Sequence, residues 1–388
     1  MIKTVIRLLA LVAYLCKPHD LSAQDKLTED AEIYVLTLGP YQGELYSAFG
    51  HSAIRVHDTT MGLDAVYNWG VFDFDQPNFY LNFARGYLYY KLGVHPYDRF
   101  RDYYIYYNRY IHAQKLNLNQ VQKQKLFDYL QWNSLPENQN YRYDYFYNNC
   151  ATKVRDVMLT VFGDSVKFDG SYVKTDYTIR DLTDIYLQHQ PWGDLGIDIC
   201  LGLPMDKKAS PDEYMFLPDY IESGFNHATI GSFPLVSETI SVYESREEEI
   251  KSSLFHPLIV FIVFAILVLA LSIWDFRRKK LSRWFDALLF GILGLVGCLL
   301  FFLWFFTDHK AAAVNFNVLW AFPLHLVVAF ALFKDRKWLI KYFLVYDVIL
   351  SVAILFWFLL PQQLNLDIMP LVLVVLMRSS VNYHLRKA

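Results

Sequence analysis

Cys150 follows two turn-forming residues, Asn148 and Asn149, and precedes the stretch 152–162, in which Val154, Val157, Met158 and Val161 recur at helical spacing. A thiol placed there sits at a helix N-terminus, where unpaired backbone N–H groups favour thiolate over thiol. Such a cysteine is a candidate nucleophile and needs a base. His57, His95 and His112 stand beside charges or in aromatic, surface-like segments, and His189 lies between two glutamines. His51 differs, because it follows Phe49 and Gly50, precedes Ser52 and opens a strand. Cys150 paired with His51 could attack an acyl carbonyl and hold the acyl group as a thioester. A third group should orient the imidazole. Asn68 is the first choice, since the second strand of the same hairpin lies beside the one carrying His51, and Asp73 is the alternative. The backbone N–H of Cys150 is the better oxyanion donor, while Asn148 and Asn149 read as a helix cap at least as readily. No metal is expected, because His51 and Cys150 lack two further ligands at recognisable spacing.

The elements that must position this pair lie in a polar, tyrosine-rich first half. Alternation near 53–56 and 64–72, with turn residues at 58–62, predicts a hairpin. Helical spacing covers 118–132, and 78–110 interleaves tyrosines with Arg85, Arg99, Arg101 and Arg109. The second half is a ladder of five apolar spans, at 257–274, 284–306, 314–333, 338–360 and 364–377, set against the roughly 20 residues that cross a bilayer. Lys and Arg crowd the junctions after the first, third and fifth spans, and only Lys310 marks the others. That alternation puts everything before Pro257 outside the cytoplasm. At the start, Lys3 and Arg7, an apolar stretch at 8–15 and Leu21-Ser22-Ala23 read as a signal peptide, the alternative being an uncleaved anchor that puts the same domain on the same side. Cys16 is no lipidation signal, since Leu15 precedes it where a small residue belongs. The expected divisions are a signal peptide at 1–23, an exported domain at 24–244, a linker at 245–256 and a membrane domain at 257–388.

A chain 54% hydrophobic with net charge −3 is too apolar to be wholly soluble and has no basic excess to attract nucleic acid. After signal removal Cys150, Cys200 and Cys298 remain. A disulfide between Cys150 and Cys200 is the purely structural alternative in an exported domain, and the surroundings of both argue against it.

Several motifs together resemble a known family: Gly50-His51-Ser52-Ala53, then 67–74 (Tyr-Asn-Trp-Gly-Val-Phe-Asp-Phe), then 147–152 with Arg155 and Asp156, then Leu201-Gly202-Leu203-Pro204 with Asp206, and 215–218. In this order, before five spans, they resemble Lnb, the lipoprotein N-acyltransferase family of Bacteroidota. Histidine before cysteine is similar to circularly permuted members of the NlpC-type papain-like superfamily. The resemblance implies an α+β, permuted papain-like exported domain followed by an all-α five-span membrane domain in the inner membrane. It implies transfer of a fatty acyl chain from a membrane phospholipid to the α-amino group of the diacylglyceryl-cysteine that begins a lipoprotein. Diacylated lipoproteins are then the acceptors, and no cofactor is needed. Arg55, Arg85 and Arg155 are candidates to meet a lipid phosphate. Glu44, Ser47, Asp73 and Asn149 are candidates to line the cleft, and Asn315, Asn317 and Trp320 to line a substrate path.

Two other functions fit the same residues. Cys150 and His51 could hydrolyse a cell-wall or lipid amide, with water replacing the amine, although such an amidase has no use for five spans. A non-enzymatic membrane protein that binds lipoproteins would instead tolerate loss of Cys150.

Overall fold

The computed structural model describes residues 26–72, 75–247 and 254–388. The expected signal peptide, Asp73 and the Glu248-Glu249 part of the linker lie outside them. The anticipated hairpin forms the middle of a seven-stranded antiparallel sheet. Its strands are β1 (Glu32–Leu38), β2 (His51–Asp58), β3 (Leu63–Val71), β4 (Leu88–Pro96), β5 (Ile111–Leu116), β6 (Asn140–Tyr143) and, from the far end of the domain, β10 (Val236–Tyr243), in the order β10-β5-β1-β2-β3-β4-β6. Three short strands, β7 (Val166–Phe168), β8 (Ala228–Ile230) and β9 (Phe233–Pro234), form a second sheet.

Successive side chains of a strand point to opposite faces, and β1 shows the division. Tyr34, Leu36 and Leu38 pack with Ala53, Val66, Phe100 and Tyr104 on one side, whereas Ile33 and Val35 pack with Ile54, Val56 and Trp69 on the other. Helix α1 (Phe79–Arg85) leads into β4, and α2 (Tyr97–Tyr106) supplies Phe100 and Tyr104 to the first face. The second face is covered by α3 (Gln120–Ser134), α4 (Cys150–Phe162) and the later helices α5 (Ile179–Leu187), α6 (Pro191–Cys200), α7 (Pro211–Tyr214) and α8 (Pro218–Asn226). Both expected helices of the first half thus form, and α4 starts at Cys150 itself.

The membrane half contains α9 (Pro257–Arg278), α10 (Arg283–Phe306), α11 (His325–Ala331), α12 (Lys337–Leu355) and α13 (Met369–Lys387). Among the described residues, four helices are long and apolar enough to cross a bilayer. The expected third span at 314–333 is not a continuous helix: a 3-10 turn at Phe316–Leu319 and an irregular stretch through Pro323 precede the seven residues of α11. It nevertheless runs from end to end. Asn315 and Asn317 bond the periplasmic domain, while the Phe333 carbonyl accepts from Arg283 at the start of α10, 3.2 Å away. Irregular backbone at membrane depth persists only when protein covers it. Gly294 and Gly297 of α10 provide that cover, since a Cβ on either would lie 2.3 Å from the Leu326 nitrogen or 2.0 Å from the Ala321 oxygen.

The fifth span also differs from its expected bounds. Pro370 falls in the first turn of α13, where its missing N–H costs nothing, so it starts the helix. Arg378, expected in the basic junction after the fifth span, is buried and ion-paired to Asp286 at 2.7 Å and Asp275 at 2.9 Å. These pairs tie α9, α10 and α13 together near the cytoplasmic end.

The two halves are joined at the segment 201–206. Gly202 donates to the Ala311 carbonyl, Gln362 to the Leu201 carbonyl and the Gln363 N–H to Asp206. A Cβ at position 202 would stand 1.9 Å from the Ala313 oxygen, so only glycine allows this approach.

Candidate active site

Local sequence places Cys150 at the first residue of α4. Asn149 caps the helix: its side chain accepts from the Thr152 N–H at 2.9 Å, and Thr152 Oγ1 accepts from the Asn149 N–H at 2.8 Å. The Asn149 amide also donates to the carbonyls of Tyr145 and Phe216, which fixes the approach to the helix. As a first-turn residue, Cys150 has a backbone N–H without an intrahelical acceptor.

His51 opens β2 after Gly50, whose φ of +79° and close approach to the Leu38 carbonyl suit only glycine. The β2–β3 register, with Arg55 opposite Val66, puts His51, Ala53 and Arg55 on one face with Asp64, Val66 and Asn68. The consequence is a hydrogen bond between His51 Nε2 and Asn68 Oδ1 at 2.5 Å. Tyr104 stacks on the imidazole at 6.4 Å between ring centres and is itself covered by the Arg109 guanidinium. At Gly70, with φ of +95°, a Cβ would lie 3.7 Å from Cys150 Cβ and 3.9 Å from His51 Cε1, so the end of β3 closes over the pair.

Burial alone would raise the Cys150 thiol. The charge of His51, a hydrogen bond with its ring, and the N–H groups of Ser52 and Ala151 outweigh that, and the net shift is downward. The thiol is free, and so is that of Cys200, where burial acts alone and pushes it up. The two cysteines therefore differ in direction: one is shifted toward the thiolate, the other away from it.

A matching group was not apparent in the sequence. The Tyr145 ring packs edge-on against Phe49 at 5.1 Å, and its hydroxyl is buried without a hydrogen-bond partner among the described residues. Burial, then the charge of Cys150, pushes it well above the ordinary phenol range, so it remains a proton donor within reach of that charge. The Tyr141 hydroxyl is buried too, and burial, then the charge of Cys150, also pushes it well above the phenol range, so the fold offers two such tyrosines and nothing in the run 141–147 marks either.

Two family models match the chain, the Lnb N-terminal periplasmic domain over residues 24–184 and the Lnb transmembrane domain over 249–388. The chain belongs to the Lnb family. It is accordingly a membrane protein with a periplasmic domain, α+β in that domain and helical in the membrane. No curated protein and no solved structure matches it. The first Lnb match ends at residue 184, yet the fold continues through β10, which pairs with β5 of the main sheet.

Within this Lnb chain His51, Cys150 and Asn68 come together, and most other candidate residues do not join them. Arg55 is held by Asp64 at 2.6 and 2.8 Å and lies over the Tyr97 ring. Arg155 pairs with Asp156 and the Asp212 carbonyl. Ser47 Oγ donates into the turn at Tyr41 and Glu44, Glu44 is an exposed turn residue, and Asn149 is the cap already described. Arg85 is exposed at the end of α1. Asp73 lies outside the described residues. Asn315, Asn317 and Trp320 are buried, but as a bracket: both asparagines donate to the Ile199 carbonyl, and Trp320 Nε1 donates to Asn317. They fasten the broken span to α6.

Proposed function

We propose that this protein moves a fatty acyl chain from a phospholipid of the inner membrane to the α-amino group of a diacylated lipoprotein. The single observation behind this reading is a depressed Cys150 thiol, bonded to an imidazole that Asn68 orients, in a domain fastened to the outer ends of membrane helices. Family membership supports it.

His51 takes the proton of Cys150, and the thiolate attacks the ester carbonyl of the phospholipid. The oxyanion of the tetrahedral intermediate faces the Cys150 N–H and the Tyr145 hydroxyl. Collapse breaks the carbon–oxygen bond, His51 returns its proton to the departing lipid oxygen, and the acyl group stays on sulfur. The lipoprotein amine then attacks the thioester carbonyl and gives a proton to His51. The carbon–sulfur bond breaks, an amide remains, and the thiolate–imidazolium pair is restored. One site thereby serves two lipid substrates in turn, which predicts ping-pong kinetics.

The test is mass spectrometry of a lipoprotein N-terminus after incubation with the purified protein in phospholipid nanodiscs. The expected product carries one additional acyl chain on its amine, and Cys150→Ser and His51→Ala should abolish it. Acyl label appearing only as free fatty acid would identify a hydrolase instead, and full transfer by Cys150→Ser would remove the thiol from the mechanism.

A further inference from the structure

Helix α1 is bound to the point where α10 leaves the membrane. The Asp308 N–H donates to the Arg85 carbonyl at 3.0 Å, His309 Nε2 meets the Phe83 carbonyl at 2.9 Å, and Arg142 joins the Asp308 carboxylate to the Gly86 carbonyl. A Cβ on Gly86 would stand 3.1 Å from Asp308 carbon, so the approach is close. The 24 residues of α10 rise about 36 Å, slightly more than the roughly 30 Å hydrocarbon core. Asp308, two residues past the helix, therefore sits at headgroup depth, and α1 is held there with it.

At that depth α1 turns large apolar side chains outward. Tyr80 is 77% exposed, Phe83 51% and Leu81 48%, and Phe305 and Phe306 at the end of α10 are also exposed. Arg85 ends the helix exposed, and among the described residues its guanidinium meets no carboxylate. Aromatic rings over apolar side chains with a cation at the rim match the boundary between acyl chains and phosphates. From the inner side of α1 a series of rings leads toward the nucleophile: Phe79 to Phe72 at 6.3 Å, Phe72 to Tyr90 at 5.0 Å and Tyr90 to Tyr143 at 4.3 Å. Tyr143 is near enough for the charge of Cys150 to act on it.

We propose that α1 is the membrane-facing platform that takes up the phospholipid donor. Tyr80, Leu81 and Phe83 enter the outer leaflet, Arg85 meets the lipid phosphate, and the ring series is the apolar floor along which the ester reaches Cys150. This deepens the acyltransferase reading and rests on it for the fate of the lipid, but not for the contact itself.

Two measurements separate the two ideas. Full-length protein in phosphatidylethanolamine–phosphatidylglycerol nanodiscs, with a trace of phospholipid carrying an acyl-chain diazirine, is irradiated and digested. Adducts are expected on the peptide spanning 79–85 as well as on the end of α10; none on 79–85 overturns the platform, whatever the protein catalyses. In the second, Cys150 acylation is timed with nanodisc phospholipid and with a water-soluble short-chain activated ester. In Tyr80→Ser/Phe83→Ser the ratio of the two rates should fall at least tenfold, whereas an unchanged ratio overturns the proposal. If wild-type Cys150 accepts acyl groups from neither donor, the acyltransferase reading fails and the crosslinking still decides the platform.

Discussion

At the scale of residues, the chemistry depends on how one sulfur is ionised. Because the Cys150 shift is downward and His51 is its main favourable cause, alkylation by iodoacetamide should reach half its maximal rate below the pH of about 8.5 typical of a free thiol. In His51→Ala that midpoint should move upward, because burial then acts with less opposition; an unmoved midpoint would show that the imidazole does not govern the thiol. Tyr145→Phe tests a different step. It removes one oxyanion donor, so acylation by phospholipid should slow about a hundred- to a thousandfold, while the alkylation curve stays close to wild type. The thiol and imidazole were legible in sequence because each carries a local mark: Cys150 follows a cap, and His51 opens a strand. Asn68 followed from hairpin geometry. Tyr145 carries no such mark, since its role depends on an edge-on contact with Phe49, about 100 residues away in the chain. Arg55 and Arg155 are a related case: their charge can be read from sequence, but Asp64 and Asp156 as the partners that occupy them cannot.

At the scale of elements, periodicity identified the hairpin, α3 and α4, and charge alternation identified the two ends of the membrane half. It did not reveal that 314–333 crosses as a broken segment, because average hydropathy is indifferent to where backbone hydrogen bonds go. The sequence does contain the cause, in Asn315, Asn317 and Pro323, and its accommodation, in the spacing of Gly291, Gly294 and Gly297. These glycines are unequal. A Cβ at 291 would make an ordinary 3.6 Å contact with Ala329, whereas one at 297 would meet backbone at 2.0 Å. Gly297→Ala should therefore destabilise the protein by about 1–3 kcal/mol through overpacking, and Gly291→Ala should not, because alanine favours the helix. Thermal unfolding in nanodiscs would read the difference, and equal melting temperatures for the two variants would contradict the packing of this span against α10.

At the scale of the whole molecule, the family-like motif at 201–206 belongs to the joint between the halves and not to the catalytic pair. Arg180 organises that joint, since it is buried and bonds Asp198 at 2.6 Å, Asp206 at 2.9 Å and the carbonyls of Leu201 and Gly202. Beside it, the carboxylates of Asp184, Asp194 and Asp198 lie within 4.8 Å of one another. Asn365, from the membrane half, donates to Asp194 and Asp198, with Asp367 and its partner His256 close by. Burial, then the charge of Asp198, pushes Asp184 up to about 8 and Asp194 up to about 6. An unfolded aspartate titrates near about 3.9, so between these values the folded protein binds more protons than the unfolded chain. Stability from this cluster is thus fully present below about pH 4 and is lost as pH rises through about 6 and then about 8. The melting temperature should fall between pH 5 and pH 9, and Asp184→Asn, which keeps the neutral form at every pH, should flatten that fall and raise the value at pH 9. A slope equal to wild type in Asp184→Asn would mean that the cluster is not protonated in the folded protein and that the joint does not loosen by this route.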